Sequence, residues 1–265
     1  MTTKVILSFV VSALLLGCSP ANQDKPITTS ESVNTAETPK TVQAIKSGKD
    51  YHSYGNPDEV KVTNLALDLT VDFTDKMLKG SVELDFERIQ PDAKALVLDT
   101  RALNIINVTA AGKTLNYKLA EADAVLGSAL TIDLPETGNK VKVEYQTSPE
   151  ASGVQWLTPA QTAGKKQPFL FTQAQAIHAR SFIPLQDSPQ VRVTYQATIR
   201  TPKELLAVMS AANDPDTARD GEYEFAMPQP IPSYLIALAV GDLHFKAMGE
   251  RTGVYAESYI LDAAA

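Results

Sequence analysis

Leu65, Leu67, Leu69, Val71 and Phe73 alternate with Ala66, Asp68, Thr70 and Asp72. Successive side chains of a strand point to opposite faces, so this period of two specifies a half-buried strand. The segment TDKMLKG then turns the chain, and Val82, Leu84 and Phe86 alternate with Glu83, Asp85 and Glu87. The two runs predict an antiparallel hairpin with one apolar face. Shorter strands are expected at residues 96–98, 103–108, 115–119, 130–134 and 141–145, with GSAL and PETGNK as breaks. Val191, Val193, Tyr195, Ala197 and Ile199 alternate again, and residues 231–240 form a nearly continuous apolar run that predicts a strand buried on both faces. The best helical composition is PKELLAVMSAAN, residues 202–213, but it lies between strong strands, and residues 205–209 fit a sheet equally well. The expected fold is all-β, with open sheets or a sandwich.

The beginning of the chain follows different rules. A short leader with one lysine precedes residues 5–16, VILSFVVSALLL, which are uncharged and apolar apart from two serines. That run is too short to cross a bilayer core of roughly 30 Å as a helix and suits the core of a signal peptide. It leads into Leu15, Leu16, Gly17 and Cys18, and Cys18 is the only cysteine in 265 residues. This resembles the bacterial lipobox, in which the signal is cleaved before the cysteine and the thiol carries lipid. An ordinary secretory signal with an incidental cysteine is the other reading. Lipidation of Cys18 would make the membrane a partner, and Ser19 after it favours the outer membrane of a Gram-negative cell, facing the periplasm. No disulfide can form within the chain. Residues 18–50 are rich in Ser, Thr, Asn, Lys and Glu and poor in apolar side chains, which predicts a flexible linker between lipid and domain.

The chemistry the sequence excludes is extensive. The net charge is −7 with no basic run, which argues against nucleic acid as a partner. His52, His178 and His244 are scattered, and no H-E-x-x-H or G-x-S-x-G occurs. Asp72 with Asp75, and Asp214 with Asp216, stand in turn-like contexts without the spacing of a calcium loop. One stretch remains, residues 169–189, FLFTQAQAIHARSFIPLQDSP. In an extended chain Gln173 and Gln175 share a face. They are either exposed strand residues or a pair of amides offered to a ligand, since an amide carries two donors and an acceptor without charge.

Residues 153–211 carry a resemblance. QWLTPAQTAGK, FTQAQAIHAR and the later PIPSYLIALAVGDL match in order and spacing the N-terminal domain of the aminopeptidase N family of zinc metallopeptidases, in its leukotriene hydrolase and aminopeptidase B branch. The likeness runs from about residue 56 to the end of the chain. It implies a saddle-like β domain with one larger mixed sheet and smaller ones. It also implies that Gln175 lines the pocket for the N-terminal residue of a peptide substrate, that Gln173 is a neighbouring cleft glutamine, and that Ala176 contributes backbone beside it. Arg180 and Asp187 are implied to hold the segment in shape. The family's catalytic domain brings zinc on an H-E-x-x-H helix, which this sequence lacks. The expectation is therefore a signal peptide over 1–17, the linker over 18–50, the β domain over 51–257 and the start of a catalytic domain over 258–265. The chain would be a fragment of a longer enzyme or the product of a truncated gene, and alone would bind no zinc and hydrolyse nothing. A tethered, non-enzymatic β module that binds peptide or protein is the competing expectation.

Overall fold

A computed structural model describes residues 50–265; Cys18, the expected signal peptide and the expected linker up to residue 49 lie outside the described residues. Among the described residues the strands are, in order, β1 (Val60–Asp72), β2 (Met77–Arg88), β3 (Ala95–Thr100), β4 (Asn104–Ala110), β5 (Lys113–Thr114), β6 (Tyr117–Leu119), β7 (Ser128–Asp133) and β8 (Lys140–Gln146). They continue as β9 (Val154–Leu157), β10 (Phe169–Thr172), β11 (Arg192–Arg200), β12 (Leu206–Met209), β13 (Glu222–Pro232), β14 (Leu238–Gly241), β15 (Leu243–Gly249) and β16 (Thr252–Glu257), followed by one helical turn, α1 (Leu261–Ala264).

The largest sheet is seven-stranded in the order β13-β11-β1-β2-β8-β4-β5. It is mixed, because β1 pairs with β11 in parallel, Leu65 beside Tyr195, while its other neighbours are antiparallel. The smaller sheets are β12-β14-β10-β9, β3-β7-β6 and the β15-β16 ribbon. The sheets are open, one of the two arrangements the alternation allows, and the largest is mixed, as the family resemblance implies.

The predicted hairpin is β1 and β2, joined through residues 73–76. Asp72 shapes this turn: its Oδ1 accepts the N–H groups of Thr74 and Asp75 at 2.9 and 3.0 Å, and its Oδ2 accepts Lys79 Nζ at 2.7 Å. The Lys79 ammonium, with those backbone donors, holds the Asp72 carboxyl down at about 2. Val60 and Val62 face inward, and so do Leu65, Leu67, Leu69 and Val71. The change of phase between the two sets coincides with a bulge between Val62 and Asn64, where β1 carries one residue more than β2. The buried face packs against Leu96 and Leu98 of β3, Leu130 and Ile132 of β7, Leu170 of β10 and Val240 of β14 in a single core. Each such side chain contributes about 1.5–3 kcal/mol when removed from water.

One sequence expectation needs correction. Residues 231–240 are not one strand: β13 ends at Pro232, a 3-10 turn spans Ser233–Leu235, and β14 begins at Leu238. Ser233 turns inward to donate its hydroxyl to Asp187 Oδ1 at 2.6 Å, and Leu235 and Ala237 are exposed, so the run is not buried on both faces. For residues 202–213, where helix and sheet fitted equally well, the structure takes the sheet. Leu206–Met209 pairs with β14 because Leu206, Ala207 and Met209 can then be buried.

Candidate functional site

Strand β10 ends at Thr172, so Gln173 and Gln175 stand in the loop beyond it and not on a strand. The loop is shaped by its own polar groups. Gln173 N–H donates to the Gly153 carbonyl at 2.8 Å, and the Gln173 side-chain oxygen turns back to accept the Gln175 N–H at 3.0 Å. His178 N–H closes a turn onto the Ala174 carbonyl at 2.8 Å, and the bond between Gln175 and Ala176 is cis. Ala174 is buried under the turn, which leaves Gln175 and Ala176 exposed.

Behind the loop the 3-10 turn Ala179–Ser181 is fully buried. Ser181 Oγ accepts the Gly153 N–H at 2.8 Å and donates to the His178 carbonyl at 2.7 Å. A side chain at Gly153 would collide with that carbonyl and with the Ser181 hydroxyl, so only glycine lets β9 run this close to the turn. His178 is a partly buried rim residue whose Nδ1 lies 2.9 Å from Ser152 Oγ.

Arg180 and Asp187 are both wholly buried. Arg180 Nε donates to Asp187 Oδ2 at 3.0 Å, and the Arg180 N–H reaches the same oxygen at 3.2 Å. The guanidinium also donates to the carbonyls of Leu126 at 2.9 Å, His52 at 2.7 Å and Asp187 at 3.1 Å. Asp99 of β3 stands 3.7 Å from Arg180 Nη1. Burial pushes the Asp99 carboxyl above its usual value, and the charge of Arg180 with donors from Ser53, Tyr54 and Asp187 offsets this only in part. A buried charge persists only when its hydrogen-bonding capacity is largely met, and four of the five guanidinium N–H groups are bonded here.

The exposed side of the loop borders a cleft of about 590 Å³ lined by Asp50, His52, Gln175, Ala176, Ile177, Pro189, Gln190 and Tyr234. Two of the predicted site residues, Gln175 and Ala176, line it directly, and Gln173 stands one step back, bonded to the Gln175 backbone. Asp50 and His52 on the opposite wall were not legible as site residues, because nothing in their local sequence ties them to a loop more than a hundred residues away. Ser188 Oγ donates to Asp50 Oδ2 at 2.6 Å and the His52 N–H to Asp50 Oδ1 at 2.9 Å. Burial opposes the charged form of Asp50, but these bonds and the neighbouring imidazole outweigh it and hold the carboxyl below its ordinary value. The cleft thus combines a neutral amide and an ionised carboxylate above an apolar floor, a composition that takes a cationic or hydrogen-bond-donating group with an apolar stem. Among the described residues no three His, Cys, Asp or Glu side chains are placed to hold a metal ion.

Comparison with known proteins gives this site its context. The family model described as Peptidase M1 N-terminal domain matches residues 50–235. Leukotriene A-4 hydrolase of Xenopus laevis is 40% identical over 80% of this chain and 37% of its own length. Leucine aminopeptidase 2 of Yarrowia lipolytica is 41% identical over 79% of this chain and 32% of its own. The structure of native yeast LTA4 hydrolase superimposes with a TM-score of 0.76 at 32% identity, covering 83% of this chain and 35% of that one. The chain therefore spans about a third of the length of the relatives it matches.

Proposed function

The chain belongs to the Peptidase M1 N-terminal domain family, and from that premise we propose that it is the substrate-positioning part of a longer zinc-dependent aminopeptidase. The observation that carries the reading is the cleft: the glutamine loop presents Gln175 and Ala176 to an open hollow at the edge of the family's β domain. In this reading the peptide's N-terminal residue enters the cleft, the Gln175 amide accepts a hydrogen bond from its amino group or donates to its first carbonyl, and Ala176 offers main-chain groups beside it. The described residues supply no ligand set for zinc, so the metal, which would polarise the scissile carbonyl and activate water, is proposed to be held by a catalytic domain outside them. Binding and orientation are the work of this chain's own residues.

Leucine aminopeptidases recur among the relatives, and their names support peptide hydrolysis. We further propose that Cys18, following Leu15, Leu16 and Gly17, carries lipid and places the protein at the cell envelope. One experiment tests both. The whole gene product, expressed in a Gram-negative host with labelled fatty acid and fractionated, is expected to bring zinc, aminopeptidase activity and the label into the membrane fraction, with Cys18→Ala abolishing the label. A membrane-bound, zinc-free product that binds peptides without cleaving them would replace the aminopeptidase reading with that of a binding module; a parent product that takes up no fatty-acid label would remove the anchor.

A further inference from the structure

Asp50 and His52 line the cleft, and the segment they belong to, residues 50–54, is bonded to the buried network behind the glutamine loop at several points. Asp50 accepts Ser188 Oγ at 2.6 Å, Ser53 Oγ donates to Asp99 Oδ2 at 2.6 Å, and the Tyr54 N–H donates to Asp99 Oδ1 at 2.7 Å. Between these bonds, Arg180 Nη2 reaches the His52 carbonyl at 2.7 Å. Arg180 is also part of the turn that follows Gln175, Ala176 and Ile177 in the chain. It is therefore the side chain common to both walls: Asp50 and His52 come from the leading segment, and Gln175 to Ile177 from the loop.

We propose that Arg180 is a positioning residue that couples residues 50–54 to the glutamine loop, so that the cleft keeps its width only while the leading segment is docked. The inference rests on reading the cleft as a peptide's amino-end site. Its physical basis is the guanidinium fork. Four of its five N–H donors, held in one plane, reach Asp187, Leu126 and His52 together, whereas a lysine ammonium is a single compact point and cannot span those acceptors. The segment that leads into the domain is then part of the site.

Removing Arg180 outright risks unfolding a buried network, so the first test leaves it in place. A Ser53→Ala, Ser188→Ala double variant of the 265-residue chain deletes the leading segment's hydrogen bonds to Asp99 and from Ser188, along with the shorter-range bonds from the Gly55 and Gln190 N–H groups, and neither serine lines the cleft. Hydrogen exchange followed by mass spectrometry is expected to show residues 50–56 and 173–178 speeding up together, by about a hundredfold for the two lost bonds to carboxylates. Faster exchange confined to 50–56 would overturn the coupling. The second test is Arg180→Lys in the whole gene product, where KM for peptides is expected to rise about tenfold with kcat unchanged. A parallel fall in kcat with unchanged KM would overturn the positioning role. A gene product that hydrolyses no peptide would count against the aminopeptidase reading alone, because the exchange result needs no catalysis.

Discussion

Replacing Asp187 with alanine is expected to cost about 3–5 kcal/mol of folding stability, because it strands a buried guanidinium. Asp187 Oδ2 receives both Nε and the backbone N–H of Arg180, and Oδ1 receives the Ser233 hydroxyl. The remaining carboxylate near Arg180, Asp99, is 3.7 Å away and already engaged by Ser53, Tyr54 and the Asp187 N–H. It cannot take over without giving up those bonds. Such a loss is a large fraction of the about 5–15 kcal/mol that holds a typical domain together. Urea unfolding should show a lower midpoint with an unchanged slope. A loss below about 1 kcal/mol for Asp187→Ala would place the pair among those that contribute little to stability.

Gly80→Ala is expected to be of comparable severity, at about 3 kcal/mol or more, from a substitution that adds one methyl group. Gly80 sits in β2 opposite Leu69 with φ +153°, a conformation that L side chains rarely adopt. Its added Cβ would run into the carbonyl oxygen of Asp68 on β1. Neither strand can yield cheaply. β1 lies between β2 and β11, and β2 between β1 and β8, so a shift at this point disturbs ladders on both sides. Thermal unfolding by circular dichroism measures the effect, and a variant that melts with the parent would show that the hairpin end can relax around the methyl group.

The fold was legible where one physical signal dominated. In β1, β2 and β11 the alternation of buried and exposed positions is the strand itself, and it reads off directly. The bulge after Val62 was not legible, because it changes the phase of the pattern without changing its composition. Residues 231–240 misled for a different reason: an apolar run states that side chains seek burial, but not that the chain stays straight. Pro232 and the inward hydroxyl of Ser233 break it into a turn and a new strand. The site was half legible. The glutamine loop announced itself by two amides close together and by its family resemblance, yet extended-chain periodicity placed both on one strand face. The Gln173 side chain instead caps the backbone of Gln175 and only Gln175 borders the cleft. The opposite wall depends on Arg180 reaching the His52 carbonyl, a contact between a side chain and a distant main-chain group that leaves no trace in the sequence around either residue.

The central claim is that this β domain supplies one wall of a peptide amino-end site, and Gln175→Leu measures it most directly. Leucine keeps the size of the exposed side chain and removes its donors and acceptor, so the loop's backbone bonds remain in place. Steady-state hydrolysis of unblocked di- and tripeptides by the whole gene product is the readout, with bound zinc and melting temperature measured alongside. The account predicts kcat/KM lowered about tenfold, the scale of one hydrogen bond to a charged group, with zinc content and melting temperature unchanged. Peptide kinetics equal to those of the parent would contradict it and return Gln175 to an ordinary exposed loop residue.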